Sequence, residues 1–298
     1  MRLVRSSMLA AALILPLTLS GCSLLFFRTR KLPLPQMPNT VLTAKPDELV
    51  AQLNQRWEQV ESLNATVDIQ ASIEKSAEGI ARDYSNFRGI ILLRKPGKLR
   101  VFGRVPVVGI TMFDMATDGS NFTLYVPSKS KAIKGSNKMK KKSANQFENL
   151  RPDFFYDAMF VRGLEPDDNF SVIADTDTLL DPAKKHFVVT PQYVINITRS
   201  HTNGHEETPV RVITLNRTNL LPYRQDLYDD EGNLVTQVVY SDYGDFGFGP
   251  YPGTITIKRP LEQFQLVLTV DKIVRNMPLT DDQFAVKVPP GTDVQNLE

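Results

Sequence analysis

Three observations predict a mostly β fold with flanking helices, namely one highly curved antiparallel sheet of about 11 strands with two helices across its open side. Apolar residues alternate with period two, turn signals recur at short intervals, and no strand–helix–strand spacing is present. The alternation is clearest where Ala65, Val67, Ile69, Ala71 and Ile73 interleave with Thr66, Asp68, Gln70 and Ser72. A strand of that pattern has one apolar and one polar face.

Taken in order, Arg2 and Arg5 form a positive start, and Met8 to Leu19 is an apolar run broken only by Pro16 and Thr18. That run is too short for a comfortable membrane span, which needs about 20 apolar residues. With Leu19-Ser20-Gly21-Cys22 at its end, residues 1–21 read as a secretory signal peptide. Residues 22–45 carry Pro33, Pro35 and Pro38 and no apolar periodicity, which predicts an extended tether. Leu24, Leu25, Phe26 and Phe27 either sit at a lipid interface, with Arg28, Arg30 and Lys31 near head groups, or are simply unstructured.

A single domain is expected over residues 46–298. Pro46 suits a first helical turn, and Asp47 and Glu48 follow it where the helix dipole favours acid. Leu49, Leu53, Trp57 and Val60 then make one apolar stripe, a core-packing face. After the strand at Ala65–Ile73, strand-like runs follow at Phe87–Leu93, Leu99–Gly103, Ile110–Met115 and Phe122–Val126. Lys95-Pro96-Gly97-Lys98 and Asp118-Gly119-Ser120 lie between them as turns.

Residues 128–146 are a lysine-rich break, and a helix is expected from Arg151 to Leu164. Residues 165–185, with Asp167, Asp168, Asp175, Asp177 and Asp181, read as a polar loop. Strands resume at Phe187–Val189, Tyr193–Ile197, Val210–Leu215, Tyr223–Tyr228, Leu234–Tyr240, Thr254–Ile257 and Phe264–Ile273, with Asn203-Gly204 and Glu231-Gly232-Asn233 as hairpin signals. Both faces are apolar where Ile90, Ile91, Leu92 and Leu93 run together, so the second face should pack on helices or line a cavity.

Several chemistries are disfavoured. The formal charge of +2 comes from Arg2 and Arg5, so the body is balanced and no nucleic-acid partner is expected. One cysteine excludes an intramolecular disulfide framework and a cysteine-rich metal site. His201, His205, Glu206 and Glu207 flank a flexible Asn203-Gly204 tip without an assured third ligand, so no metal is expected. Asp245-Phe246-Gly247 matches the kinase magnesium motif in letters only, and residues 246–252 read as an irregular loop at the sheet's mouth. No nucleophile elbow, phosphate loop or placed carboxylate pair occurs, so no catalytic residues, enzymatic activity or cofactor are expected. The lysine run either attracts anionic lipid or is a solvated loop.

Leu19-Ser20-Gly21-Cys22 resembles the bacterial lipobox, which implies that Cys22 is acylated and becomes the first residue after cleavage. By the same resemblance Ser23, which follows it, favours the outer membrane.

The body resembles the LolA/LolB superfamily of lipoprotein-localisation factors. The resemblance rests on Leu221-Pro222-Tyr223-Arg224-Gln225, Tyr228-Asp229-Asp230-Glu231-Gly232-Asn233, Tyr240-Ser241-Asp242-Tyr243, Tyr251-Pro252-Gly253-Thr254-Ile255, Arg275-Asn276-Met277-Pro278-Leu279, Phe284 and Pro289-Pro290-Gly291. It implies an incomplete antiparallel β-barrel with a helical lid over an apolar cavity for acyl chains. It further implies a LolB-like lipoprotein, anchored to the outer membrane through Cys22 and facing the periplasm, with lipoprotein acyl chains or a related lipid as ligand and a periplasmic LolA-like carrier as donor. A membrane-contact loop would fall at Val105, Pro106, Val107 and Val108, with the two valines either outward or packed inward. Alternation nominates Trp57, Ile69, Ile91, Val101, Met112, Leu124, Phe155, Met159, Ile213, Leu227, Val238 and Leu268 for the cavity. The alternative is an envelope sensor or scaffold that binds a protein partner without lipid transfer.

Overall fold

The computed structural model describes residues 36–75, 80–83, 86–105, 109–137, 152–181, 186–200 and 207–297, which fall into two units. The first comprises the residues up to Met37 together with Thr178–Val189. In it, Gln36 bridges Val188 in parallel. The Gln36 N–H donates to the Phe187 carbonyl at 2.7 Å, and the Val189 N–H donates to the Gln36 carbonyl at 2.9 Å. The second unit, Pro38–Asp177 with Thr190–Glu298, holds the helices and most of the sheet. Cys22, Pro106, Val107, Val108, Lys138, Lys140, Lys141, Lys142 and the His201–Glu206 turn lie outside the described residues.

Helix α1 spans Pro46–Glu58 and α2 spans Asp153–Met159. The strands are β1 (Ser62–Lys75), β2 (Ile80–Asp83), β3 (Phe87–Arg94), β4 (Lys98–Arg104), β5 (Thr111–Thr117), β6 (Asn121–Val126), β7 (Lys131–Ser136) and β8 (Asp168–Asp181). They continue as β9 (His186–Ser200), β10 (Glu207–Asn216), β11 (Leu221–Tyr228), β12 (Leu234–Asp245), β13 (Pro250–Arg259), β14 (Phe264–Arg275) and β15 (Asp293–Asn296). One open sheet runs in the order β15-β7-β6-β5-β4-β3-β1-β14-β13-β12-β11-β10-β9-β8, with β2 paired to β1 off this path. From β7 through β1 to β9 all neighbours are antiparallel, and β15 runs parallel to β7. Two hairpin meanders therefore meet at β1, which pairs with β3 on one side and β14 on the other.

The alternation of β1 is borne out, because Ala65, Val67, Ile69, Ala71 and Ile73 are all buried. All but Ile73 share a core with Ile91 and Leu93 of β3, Val238 of β12, Ile255 of β13 and Leu268 of β14, against Phe154, Phe155, Ala158 and Met159 of α2. A second core joins Leu49 and Leu53 of α1 to Tyr193, Ile195 and Ile197 of β9 and to Ile213 and Leu215 of β10. The apolar stripe of α1 is thus shared between two cores, since Val60 and Trp57 join the first. The second face of Ile90–Leu93 packs on neither helix. Leu92 meets Leu279 and Phe284 of the C-terminal tail. Arg94 ties that tail down through Asp281 and the Leu279 carbonyl, assisted by Lys98 Nζ at 2.8 Å from Asp281 and Arg100 Nη1 at 3.0 Å from the Gln283 carbonyl.

Four sequence expectations are corrected. Among the described residues the sheet has 15 strands, not about 11. The lysine-rich break contains β7, whose only deeply buried residues are Ala132 and Ile133, too few to show a period. The acidic loop is mostly the edge strand β8, with Phe170 and Ile173 exposed. Polar side chains hold β8 where apolar contacts are few: Gln192 donates to Asp175 at 2.8 Å, and Asn169 donates to Ser200 Oγ at 3.1 Å. Charge along an edge strand is a usual defence against further pairing. The helix expected to run to Leu164 stops at Met159, and Phe160 is already extended.

Candidate functional site

The early end of α2 creates the site. Three carbonyls at and just beyond the end of α2 are claimed by side chains from the sheet. Tyr251 of β13 donates its hydroxyl to the Met159 carbonyl at 2.8 Å. Arg211 of β10, 3% exposed, donates to the carbonyls of Arg162 and Gly163, each at 2.8 Å. On the other side Asn54 of α1 accepts from the Leu164 N–H at 2.8 Å. A Cβ at Gly163 would lie 2.6 Å from Asn54 Oδ1 and 3.2 Å from its Cα, so only glycine allows α1 this close. The segment after α2 is thereby pinned as an extended wall.

Between that wall and the last turn of α1 lies a cavity of about 260 Å³. Met159, Phe160 and Val161 line it from one segment, and Leu53 and Trp57 of α1, with Val60 just after it, from another. Leu221, Pro222, Tyr240, Tyr243, Tyr251 and Pro252 of the sheet complete much of the lining. Phe248 closes in from the β12–β13 loop. Asp245 accepts from the Gly247 and Gly249 N–H groups at 2.8 and 3.2 Å and folds that loop, both glycines having positive φ. The rings of Phe246 and Phe248 then meet Tyr251 edge-on at 6.1 and 5.9 Å. Trp57 is set by Tyr156 and Phe160, edge-on at 6.2 and 6.0 Å, and by Lys95 Nζ lying 3.8 Å from its ring centre.

The polar groups are few. Burial raises the phenols of Tyr240, Tyr243 and Tyr251 far above their ordinary value, so all three stay protonated. Tyr243 donates to the Pro222 carbonyl at 2.5 Å. The Tyr240 hydroxyl is buried and without a partner among the described residues. Arg56 and Arg275 line the cavity, and among the described residues no carboxylate does. Arg275 lies 5.1 Å from the Phe248 ring centre and reaches Gln59 Oε1 at 3.4 Å. Its neighbour Asn276 fastens the end of β14 to the exit of α1, accepting from Glu61 N–H at 2.8 Å and donating to the Gln59 carbonyl at 2.9 Å.

Of the residues nominated by alternation, Trp57 and Met159 line this cavity. Ile69, Ile91, Val101, Phe155, Leu227, Val238 and Leu268 lie in the first core, Met112 and Leu124 pack against it, and Ile213 lies in the second. Alternation identifies the inward face, but not which inward residues α2 covers. Arg56, Tyr240, Tyr243, Phe248 and Arg275 were not nominated, and the aromatic, glycine-rich stretch 246–252 is the sequence signal that points to this corner. Of the loop residues, Val105 is half-buried, and the neighbouring Ile110 is 63% exposed.

No family model matches the chain, and no curated protein matches it. Among solved structures it is similar to a LolA superfamily protein from Nitrosomonas europaea, with 14% identity and a TM-score of 0.48, covering 82% of this chain and 99% of that one. It is similar as well to a DUF1329 family protein from Desulfovibrio piger, with 14% identity and a TM-score of 0.48, covering 80% of this chain and 94% of that one. No helix among the described residues is long and apolar enough to cross a membrane.

Proposed function

We propose that this protein is a LolB-like lipoprotein, held at the outer membrane through an acylated Cys22, which takes an acyl chain of a lipoprotein or related lipid into the cavity between α1, the segment after α2 and the β12–β13 loop. The observation that carries the reading is a cavity walled almost wholly by apolar and aromatic side chains. Its volume of about 260 Å³ lies just below the ~300–1,000 Å³ of small-molecule sites, so it holds part of one chain. Each buried methylene contributes about 0.8 kcal/mol, so several methylenes suffice for specific binding without a covalent step. The lipobox-like ending at Cys22 supports the anchor, and the exposed Ile110 beside the Val105–Val108 loop supports membrane contact there.

A second reading, an envelope sensor or scaffold, is favoured by one observation. Much of the inward sheet face is filled by α2.

Native mass spectrometry of the full-length chain released from bacterial membranes separates the two. Bound lipid, lost when Val161→Trp fills the cavity, is the expected result. A chain that is reproducibly empty, and that takes no acylated peptide on incubation, would refute the first reading.

A further inference from the structure

We propose that the occupant of the cavity is an anionic amphiphile, whose chain lies among the aromatic residues and whose head group is held by Arg56 and Arg275. The inference rests on the acyl-binding reading and adds the chemistry of the head group.

Two arginines are among the residues that line one largely apolar cavity, and among the described residues no acidic residue lines it with them. Among the described residues, the polar contacts of Arg56 and Arg275 are neutral. Arg56 Nη1 lies 3.5 Å from the Leu220 carbonyl, and Arg275 Nη1 lies 3.4 Å from Gln59 Oε1, both long for hydrogen bonds. Several other arginines of the second unit are matched to acids, as Arg100 to Asp114, Arg199 to Asp168 and Arg224 to Asp226, whereas Arg217, like the cavity pair, meets a carbonyl and a ring. What sets Arg56 and Arg275 apart is that both line one cavity.

Their supports are built. Arg275 rests beside Phe248 at the end of β14, a position that Asn276 fixes to α1. Arg56 is exposed, yet neighbouring protein removes enough water to hold its guanidinium below its ordinary value. An anion at this place would restore what that desolvation removes. The unpartnered hydroxyl of Tyr240, itself 4% exposed and part of the lining, is a third unmet group. It is a donor, and an oxygen of the ligand would satisfy it. Guanidinium forks match carboxylate and phosphate alike, so the shared chemistry is an oxyanion on an acyl chain.

The chain supplies its own reporter, because Trp57 is its single tryptophan and lines the cavity. The full-length protein in phosphatidylcholine nanodiscs is titrated with dibromostearic acid, its neutral methyl ester and its quaternary ammonium analogue, and Trp57 emission is read against a Trp57→Phe blank. Saturable quenching by the acid is expected at a concentration about tenfold or more below that of the ester, with the ammonium analogue weakest. Arg56→Gln with Arg275→Gln should weaken the acid by about the same factor and leave the ester within about twofold, which also shows that the variant cavity is intact.

Dodecyl phosphate should compete as the acid does, whereas inorganic phosphate should not. Equal binding of acid and ester, or unchanged acid binding in the double variant, overturns the head-group inference and leaves the acyl-binding reading standing. Displacement of the acid by inorganic phosphate alone likewise overturns the inference. Saturable quenching by none of the three probes overturns both.

Discussion

Replacing Arg211 with methionine tests whether the pinned segment after α2 rests on side-chain donors from the sheet. Methionine keeps much of the length and apolar stem but offers no N–H group. Two carbonyls, those of Arg162 and Gly163, each lose a 2.8 Å partner. A buried acceptor left unpaired costs about 1–3 kcal/mol. Asp168 loses a guanidinium 3.6 Å away but keeps Arg199 at 2.7 Å, so the ionic loss is secondary. Asp157, whose carboxyl burial pushes up while Arg162 and Arg211 pull it down, loses one of those two cations. The two unpaired acceptors alone come to about 2–6 kcal/mol, which brackets the ~3–5 kcal/mol for removing one partner of a buried ionic group, and this narrower figure is the expected loss.

Urea unfolding of the full-length chain, followed by Trp57 emission, measures it. With m of about 3 kcal/mol/M, the midpoint should fall by about 1–1.7 M. Arg211→Lys, with a compact ammonium in place of the fork, should fall between wild type and Arg211→Met. A drop below about 0.3 M for Arg211→Met would refute the reasoning, because it would mean that those carbonyls find other partners at no cost.

Two further outcomes follow. The Asp168 carboxyl feels burial, which raises its pKa, but the Glu165 N–H and Arg199 outweigh this, so its folded value is lowered. It therefore contributes stability that is present above its unfolded pKa of about 3.9 and lost as pH falls through the lower folded value. Asp168→Asn should cost stability at neutral pH and progressively less on acidification. Stability curves for the two proteins that stay parallel from pH 7 to 3 would contradict the assignment. Tyr240→Phe removes a buried hydroxyl with no partner among the described residues, so thermal stability should be unchanged or rise by about 1 kcal/mol. A loss larger than that in calorimetry would reveal a partner for the hydroxyl.

Strands with one buried and one polar face were legible in the sequence, because burial and solvent then alternate with the side-chain period. β1 is the clearest case, and β10, β13 and β14 follow it. Strands at the margins were not legible. β8 is exposed over much of its length, and β7 buries only Ala132 and Ile133, so neither presents enough apolar residues to set a period. Helix length failed for a different reason. Leu164 continues the apolar spacing of α2, but Tyr251 takes the Met159 carbonyl that the next helical turn would use, and Arg211 holds the Arg162 and Gly163 carbonyls in the extended segment, contacts distant in sequence that no local pattern encodes.

The same limit governs the cavity. Alternation separates inward from outward residues along the strands, whereas Trp57 and Met159, which line the cavity, lie on the two helices. Alternation is silent on which inward residues the α2 helix covers. Arg56 and Arg275 fall outside any apolar pattern, and only the fold brings the last turn of α1 to the end of β14.

The place of β1 in the sheet has a consequence for how the protein is made. Its partner β14 lies near the far end of the chain, with Leu63 opposite Arg275 and Ile73 opposite Phe264. During synthesis β1 emerges early, and one of its edges has no mate until β14 arrives. Closing so long a span before contacts reward it makes folding slow. The two meanders can assemble separately, but they become one sheet only when the β1–β14 seam closes. A nascent chain stalled before β14 would expose an unsealed apolar edge, a target for chaperones and proteases.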